Sequence, residues 1–455
     1  MITTFSVSNF RSFSSEETFS LVASNRLVGS HDDHVVTIPD SNEKVLKIAV
    51  LYGANGAGKS NLFKALRYVK SIALDARDKK SGTGREPFRF GEGVDEPSSF
   101  DLQFIAGGNL YRFGFKVDVD RIIEEWLVRV VGKSERVLYQ RVTTADGKVK
   151  VDSSGLKKLG DKLSALATVG GPPNQSFLAT IHVTLDSSDY GEELNEILNW
   201  FAKGLSLVGP DEPIAPVGNL LAEDSNFSTF AGDFLRDSST GVDHLDVQKI
   251  EITEDDLSRL LPKELVSHVL KSTSGGLKSI IQIGEGTEVL FEQTDRSHYY
   301  RITIHGAHHH AGGTVVPLEF SEESDGTQRL LNLLPALHCA KIPGTVYFID
   351  EIDRSMHPML AWKFLDFFLK SCSGDRRQII VTTHEANLLD LDLLRRDEIW
   401  FAEKDHEEST RLYSMTDFKV RKDHEIRKHY LQGRYGAVPF LGNLDHLIAK
   451  ESQAK

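Results

Sequence analysis

The most informative segment of this 455-residue chain is Gly53-Ala54-Asn55-Gly56-Ala57-Gly58-Lys59-Ser60, which fits the pattern G-x-x-x-x-G-K-[ST]. The stretch before it, Val45 to Tyr52, is almost continuously apolar, which is typical of a strand buried on both faces. Residues 60–74 after it carry apolar side chains at helical spacing. A strand, a glycine loop and a helix therefore follow one another directly, which is the arrangement that binds nucleotide phosphates.

Each part of this loop has an expected role at ATP and Mg²⁺. The glycines allow backbone N–H groups to turn toward phosphate oxygens. Lys59 should reach the β- and γ-phosphates, and the hydroxyl of Ser60 should bind Mg²⁺. The residues that we expect to contact the nucleotide are Asn55, Gly56, Ala57, Gly58, Lys59, Ser60 and Asn61.

Two later strands end in residues that suit phosphate chemistry. The first reads Val346-Tyr347-Phe348-Ile349-Asp350-Glu351. Ligands of open α/β sheets bind at the carboxyl ends of strands, so we expect Asp350 to hold Mg²⁺ and Glu351 to polarise the attacking water. The second strand ends in Thr382-Thr383-His384, where His384 is expected to sense the γ-phosphate. A solvated acidic turn and a surface histidine are the structural alternatives.

A fourth motif, Ser324-Asp325-Gly326-Thr327-Gln328, opens a helix predicted to run through Leu337. A serine at this position is either a phosphate site or only an N-cap. Ser324 lies 26 residues before Asp350, and His384 lies 34 residues after it. The order and spacing resemble the ABC ATPase superfamily, in which the signature motif of one head closes on the nucleotide of another. This resemblance implies that Ser324 and Gly326 contact that nucleotide, although the family has Ser-Gly-Gly-Gln here.

Further segments resemble narrower groups of ATPases. The start Asn9-Phe10-Arg11-Ser12-Phe13 is similar to that of RecF/SMC-type ATPases, which implies that Arg11 lies near the nucleotide. Residues 350–353, 357–358, 383–390 and 431–437 resemble the stand-alone ATPases of antiphage and abortive-infection systems, of the RloA, AbiL and PARIS type, related to the OLD family. Such heads use a glutamine to couple their lobes, for which Gln175 is the first candidate and Gln103 the second.

The resemblance implies an α/β fold: a two-lobed ABC ATPase head of the P-loop NTPase type, with an antiparallel β subdomain and a helical insertion. We expect an N-terminal lobe at 1–185, the insertion at 186–275 and a C-terminal lobe at 276–455. The implied function is an ATP-hydrolysing sensor or switch that works as a homo-oligomer, at least a head-to-head dimer. It would control a separate effector protein encoded by a neighbouring gene. We expect this effector to be a nuclease. A phage-derived trigger and contact with nucleic acid stay open.

The amino-acid composition of the chain limits the partners and the cellular location that we expect. The chain has 53 basic and 66 acidic residues, a net charge of −13, which argues against general binding to a phosphate backbone. It begins without a basic region followed by an apolar run, and no apolar stretch is long enough to span a bilayer, so we expect a cytoplasmic protein. Cys339 and Cys372 are expected to be reduced structural thiols.

Two alternative functions remain at this stage. One is a DNA-repair or chromosome-maintenance ATPase of RecF/SMC type that binds DNA directly, against which the acidic balance and the lack of sustained heptads argue. The other is a transporter ATPase subunit, against which the RecF-like start argues.

Two further segments have predicted local structures. The pattern of residues 191–270 predicts mostly helix. A polar segment contains His305 and His308-His309-His310 beside Gly312-Gly313, and we interpret it as a flexible loop rather than a metal site.

Overall fold

The computed structural model describes residues 1–78, 80–156, 160–262, 265–266, 278–293, 297–310, 312–338, 344–371, 376–418 and 426–438. The chain divides into two compact units. The first comprises Met1–Leu205, Ile342–Asp350 and Ser373–Lys455, and the second comprises Ser206–Lys341 and Glu351–Cys372. These units do not coincide with the three consecutive segments predicted from the sequence.

The strands of the described residues are, in chain order, β1 (Ile2–Ser8), β2 (Glu17–Ser20), β3 (Val35–Thr37), β4 (Lys44–Leu46), β5 (Ile48–Tyr52), β6 (Ser98–Ala106), β7 (Asn109–Val117), β8 (Ile122–Val131), β9 (Ser134–Thr143), β10 (Val149–Asp152), β11 (Leu205–Val208), β12 (His244–Ile252), β13 (Lys278–Gly284), β14 (Thr287–Gln293), β15 (Ser297–His309), β16 (Val315–Glu319), β17 (Val346–Ile349), β18 (Gln378–Thr383), β19 (Ile399–Lys404) and β20 (Thr410–Ser414).

The α-helices of the same residues are α1 (Lys59–Leu74), α2 (Asp161–Val169), α3 (Phe177–Thr184), α4 (Ser187–Asn199), α5 (Val217–Glu223), α6 (Ser225–Asp237), α7 (Glu254–Leu260), α8 (Asp325–Leu333), α9 (Pro358–Ser371) and α10 (Ile426–Leu431).

The first unit contributes five neighbouring strands of a mainly parallel sheet, in the order β17-β18-β5-β19-β20. The first four are parallel, and β20 runs antiparallel to β19. Every residue of β5, β17 and β18 is buried, which explains their almost continuous apolar sequences. The single strand predicted from Val45 to Tyr52 is divided into β4 and β5, because the backbone N–H of Lys47 between them bonds to His34 instead.

The second sheet of this unit is antiparallel, as predicted, and has the order β10-β9-β8-β7-β6-β1-β2. Its β6–β7 hairpin turns at Gly107 and Gly108, with Ala106 paired to Asn109. The φ angles of the two glycines are 52° and 76°. A two-residue hairpin with two positive φ angles requires residues of this kind, so the Gly-Gly pair sets the register of the hairpin.

The second unit contains a sheet of order β12-β15-β14-β13, with β16 paired to β15. The prediction of helix through residues 191–270 is wrong at β12, which pairs with β15 along its whole length. The interpretation of the histidine segment as a loop is also wrong, because His305, His308 and His309 belong to β15. His305 has partners in both β12 and β16, and His308 and His309 pair with β16, so strand pairing fixes all three residues in the sheet. Cys339 and Cys372 lie outside the described residues.

A buried hydrogen bond between His34 and Glu398 joins the N-terminal segment of the first unit to the start of β19. His34 Nδ1 lies 3.0 Å from Glu398 Oε1, and the two side chains are only 6% and 0% exposed. Burial raises the pKa of the Glu398 carboxyl to about 7, and the hydrogen bond from His34 opposes this increase. The folded protein therefore retains this proton at pH values where the unfolded chain has lost it.

This carboxyl predicts a pH dependence of stability. Because its folded pKa exceeds the ordinary value of 4.5, its contribution is complete below pH 4.5 and is lost as the pH rises toward 7. We expect the free energy of unfolding of the wild type, relative to Glu398→Gln, to fall by about 1–3 kcal/mol between pH 5 and pH 7.5. Urea unfolding at a series of pH values measures this difference. Glu407→Gln, at an exposed position, is the control, and parallel curves for wild type and Glu398→Gln would contradict the prediction.

Candidate functional site

Three motifs lie side by side at one edge of the mainly parallel sheet. β17 leads into Asp350, β18 leads into His384, and β5 leads into Gly53. β18 pairs with both of the other strands. Because adjacent strands lie about 4.8 Å apart, the carboxyl ends of these strands bring the three predicted motifs of the first unit together.

The glycine loop turns tightly between β5 and α1. The φ angles of Gly56 and Gly58 are 80° and 106°, in the left-handed region that favours glycine. A Cβ atom at Gly58 would collide with the side chain of Thr410. Gly58 is also the N-cap of α1, so the unpaired N–H groups of the first helical turn adjoin the loop. This backbone can cradle a phosphate group.

Lys59 is buried beneath this loop, with 5% of its surface exposed. Its Nζ donates to Gly53 O at 2.6 Å, to Ala54 O at 3.1 Å and to His384 Nδ1 at 3.1 Å. An ammonium group can only donate, so His384 Nδ1 is the acceptor in this contact. A nucleotide phosphate would be a stronger partner for this cation than a carbonyl oxygen.

Asp350 is 2% exposed, and its Oδ1 accepts a hydrogen bond of 2.6 Å from the hydroxyl of Thr382. This bond helps to orient the carboxylate and satisfies one of its oxygens in the core. No pattern in the sequence indicates this role for Thr382, although the threonine lies two residues before His384. The carboxylate of Asp350 and the hydroxyl of Ser60 are oxygen ligands of the kind that Mg²⁺ prefers, so the donor set fits this metal.

Asn61 and Arg11, both predicted to lie near the nucleotide, have protein partners. Asn61 Nδ2 donates to Ser12 Oγ at 2.8 Å. Arg11 Nη2 lies 2.5 Å from Glu86 Oε1, and the two side chains are 27% and 48% exposed. Arg11 is therefore adjacent in sequence to Ser12, which contacts α1 through Asn61. To bind a phosphate, Arg11 would have to break its ion pair with Glu86.

Gln175 lies at the opposite end of α1 from the glycine loop. Its Oε1 accepts from the backbone N–H of Arg77 at 2.9 Å, and its Nε2 donates to Thr180 Oγ1 at 3.0 Å. Arg77 lies three residues after Leu74, the last residue of α1, and a helix of 16 residues is about 24 Å long. The structure therefore does not bring Gln175 to the glycine loop, and its amide bonds are structural.

The segment predicted to be the signature motif, residues 324–328, lies at the start of α8 in the second unit. Ser324 Oγ accepts from the backbone N–H of Thr327 at 3.2 Å, so this hydroxyl caps the helix. A Cβ atom at Gly326 would lie 2.6 Å from Ser355 O, which explains the glycine by close backbone packing. The start of α8 therefore packs directly on the turn that follows Glu351.

That turn holds Glu351 in an unusual conformation. Glu351 and Ser355 have φ angles of 51° and 59°, which non-glycine residues seldom adopt. Arg354 lies 3.9 Å from the Glu351 carboxylate and 3.0 Å from that of Asp211. The side chain of Glu351 is 31% exposed, so the group predicted to act as the base is accessible to water.

One family model matches the part of the chain that contains the glycine loop. The family model described as "AAA domain, putative AbiEii toxin, Type IV TA system" matches residues 48–390. A comparison with curated protein sequences gives no match.

Among solved structures, the chain is similar to the SMC head domain from Thermotoga maritima, with a TM-score of 0.37 and 13% identity over 92% of this chain and 99% of that one. It is also similar to an SmcHead solved bound to the C-winged helix domain of ScpA, with a TM-score of 0.37 and 13% identity over 91% and 97% of the two chains.

Among the described residues, no helix combines the length and the apolar character needed to cross a membrane. The same residues hold no group of three or more His, Cys, Asp or Glu side chains arranged for a metal ion. His308 of β15 pairs with a carboxylate, and its Nε2 lies 2.6 Å from Glu323 Oε1.

Proposed function

The chain belongs to the AAA_21 family of AAA domains, and on this premise we propose that it binds and hydrolyses MgATP as an ABC-type ATPase. In this proposal it is the sensor or switch subunit of an antiphage, abortive-infection system. It controls a separate effector, a nuclease, in the bacterial cytoplasm.

One observation carries the ATPase part of the proposal. The buried ammonium of Lys59 lies against the carbonyl groups of the glycine loop and 3.1 Å from His384 Nδ1. Asp350 is fixed by Thr382 one strand away. A cation, a carboxylate and an imidazole at adjoining strand ends, beside a helix N-terminus, are the groups that phosphoryl transfer to water uses.

Each of these side chains has a separate role in binding and hydrolysing ATP. Lys59 turns from the carbonyl groups of the loop to β- and γ-phosphate oxygens, and residues 55–61 hold the triphosphate through backbone N–H groups. Ser60 and Asp350 would hold Mg²⁺, which would neutralise phosphate charge. Glu351 takes a proton from the attacking water, and His384, released from Lys59, turns its Nε2–H toward the γ-phosphate.

A second copy of the chain completes the site in this proposal. The N–H groups at the start of α8, with the hydroxyl of Ser324 and the close turn at Gly326, would approach the γ-phosphate held by the partner. Ser324 is exposed in the single chain, which leaves it accessible to such a partner. ATP would close two heads and hydrolysis would separate them.

Two features support the role as a switch. The family description names the AbiEii toxin and a type IV toxin–antitoxin system. A toxin–antitoxin system consists of two partner proteins, one of which controls the other. The net charge of −13 disfavours the direct DNA binding that a repair or chromosome-maintenance role requires. Contact with a phage-derived trigger is left to experiment.

The proposal predicts Mg²⁺-dependent ATP hydrolysis by the purified chain without nuclease activity. We expect ATP-dependent cleavage of nucleic acid only when the product of the neighbouring gene is added. Phosphate release and plasmid cleavage measure the two activities, with EDTA as the metal control. Robust nuclease activity of the chain alone would contradict the division of labour, and salt-sensitive DNA binding by the chain would favour a repair role.

A further inference from the structure

A line of hydrogen bonds runs behind the glycine loop and connects three distant parts of the chain. Asn61 Nδ2 lies 2.8 Å from Ser12 Oγ, which lies 2.7 Å from Thr410 Oγ1. Thr410 Oγ1 in turn lies 2.9 Å from Ala57 O. Thr410 is 0% exposed and Ser12 is 8% exposed, so water cannot easily replace these bonds. Nothing in the sequence indicated a role for Thr410.

The donors and acceptors of this line follow from the geometry and the chemistry of the groups. The amide nitrogen of Asn61 can only donate, so Ser12 Oγ accepts from it, and the carbonyl oxygen of Ala57 can only accept. The hydroxyl of Thr410 is the donor toward both Ser12 Oγ and Ala57 O, so its single proton is shared between these two acceptors. Loss of the Thr410 hydroxyl would therefore remove the donor that both Ser12 and Ala57 face.

The ends of the line also enclose the phosphate-binding turn. Ala57 precedes Gly58, Lys59 and Ser60, and Asn61 follows them. Gly58, with a φ of 106°, packs against the two hydroxyls so closely that a Cβ atom would collide with Thr410. A second bond, from the backbone N–H of Thr410 to Ser12 O at 2.7 Å, fixes the two residues to each other. The line therefore holds both sides of the turn in one conformation.

We infer that Thr410 is a positioning residue for nucleotide binding, which acts by holding the turn at residues 57–61 in its phosphate-binding conformation through Ser12 and Asn61. The inference rests on the proposed function, since it assumes that this turn binds ATP. Thr410 does not touch the nucleotide. Its effect should therefore appear in the affinity for ATP and for ADP, because both use the same turn, and not in the chemical step.

The test replaces Thr410 by valine, which keeps the shape and removes the hydroxyl. We expect Thr410→Val to raise the Kd for ATP and for ADP, and the KM for ATP, about tenfold, which corresponds to about 1.4 kcal/mol. The kcat should stay within about twofold of the wild type. Thr410→Ser, which retains the hydroxyl, should restore most of the affinity. Fluorescent nucleotide titration and steady-state kinetics provide these values.

Thr83→Val is the matched control for loss of a buried threonine hydroxyl. Thr83 is 0% exposed and donates to Asp118 O at 2.5 Å. The Thr83→Val variant should have a lower Tm than the wild type but the same Kd for ATP and for ADP. A Kd for Thr410→Val within twofold of the wild type, a fall in kcat alone, or failure of Thr410→Ser to restore affinity would each overturn the inference. Absence of ATP binding by the wild-type chain would instead overturn the proposed function.

Discussion

Replacement of Lys59 by alanine is expected to abolish measurable ATP binding while the protein stays folded. Lys59 is the buried cation of the glycine loop, and an alanine in its place would remove this positive charge from the phosphates. Hydrogen bonds to charged groups contribute about 1.5–3 kcal/mol each, so losing two of them should weaken binding by roughly 10²- to 10⁴-fold. The fold should survive because the glycine loop is partly open to water, with Asn55 and Gly56 exposed.

Isothermal titration with ATP, together with the Tm in the absence of nucleotide, measures both parts of this expectation. Lys64→Ala is the matched control, since Lys64 is a lysine on the same helix with an exposed side chain. The control should bind ATP as the wild type does. If Lys59→Ala bound ATP within threefold of the wild type, the glycine loop would not be the phosphate site.

The parts of the site that sequence alone predicted are those in which a local pattern determines the structure. A buried strand, a glycine loop and a helix are consecutive in the chain, and the structure has β5, the loop and α1 in that order. The strands before Asp350 and His384 were predictable because burial on both faces demands an unbroken apolar run. The positions of Lys59, Asp350 and His384 at adjoining strand ends then follow from parallel pairing.

The missed features depend on contacts between residues far apart in sequence. Thr410 meets Ser12 across 398 positions, and no pattern around either residue indicates that contact. The sequence predicts helix where β12 lies, and pairing with β15 outweighs local propensity there. Resemblance suggests Gln175 as a coupling glutamine, and in the structure its amide bonds to Thr180 and to the backbone of Arg77, three residues after α1.

Replacement of Glu351 by glutamine should arrest the cycle after ATP has bound. Glutamine has the size and shape of glutamate and still forms hydrogen bonds to water, but it cannot accept a proton. We therefore expect turnover to fall by about 10²- to 10³-fold, a loss of several kcal/mol of transition-state stabilisation. The Kd for ATP should change by no more than about threefold, because Glu351 is assigned no contact with the nucleotide in the ground state.

The position of Glu351 supports this separation of binding from chemistry. It follows Asp350 directly, so its Cα lies about 3.8 Å from that of the expected Mg²⁺ ligand. Its left-handed φ of 51° turns the chain sharply at this point. A strained conformation at a strand end commonly serves to present a reactive side chain, and here it separates the exposed carboxylate of Glu351 from the buried one of Asp350.

Phosphate release and light scattering with excess MgATP measure the two consequences for Glu351→Gln, slow turnover and accumulation of an ATP-bound dimer. Glu407→Gln removes a charge at an exposed position and should behave as the wild type. Adding Lys59→Ala to Glu351→Gln should prevent the dimer, because a dimer bridged by ATP cannot form without the nucleotide. If Glu351→Gln hydrolysed ATP at the wild-type rate, another residue would be the base. If the dimer persisted in the double variant, association would not require ATP at this loop. The first result would contradict the assignment of the base, and the second would contradict the proposed ATP-driven switch.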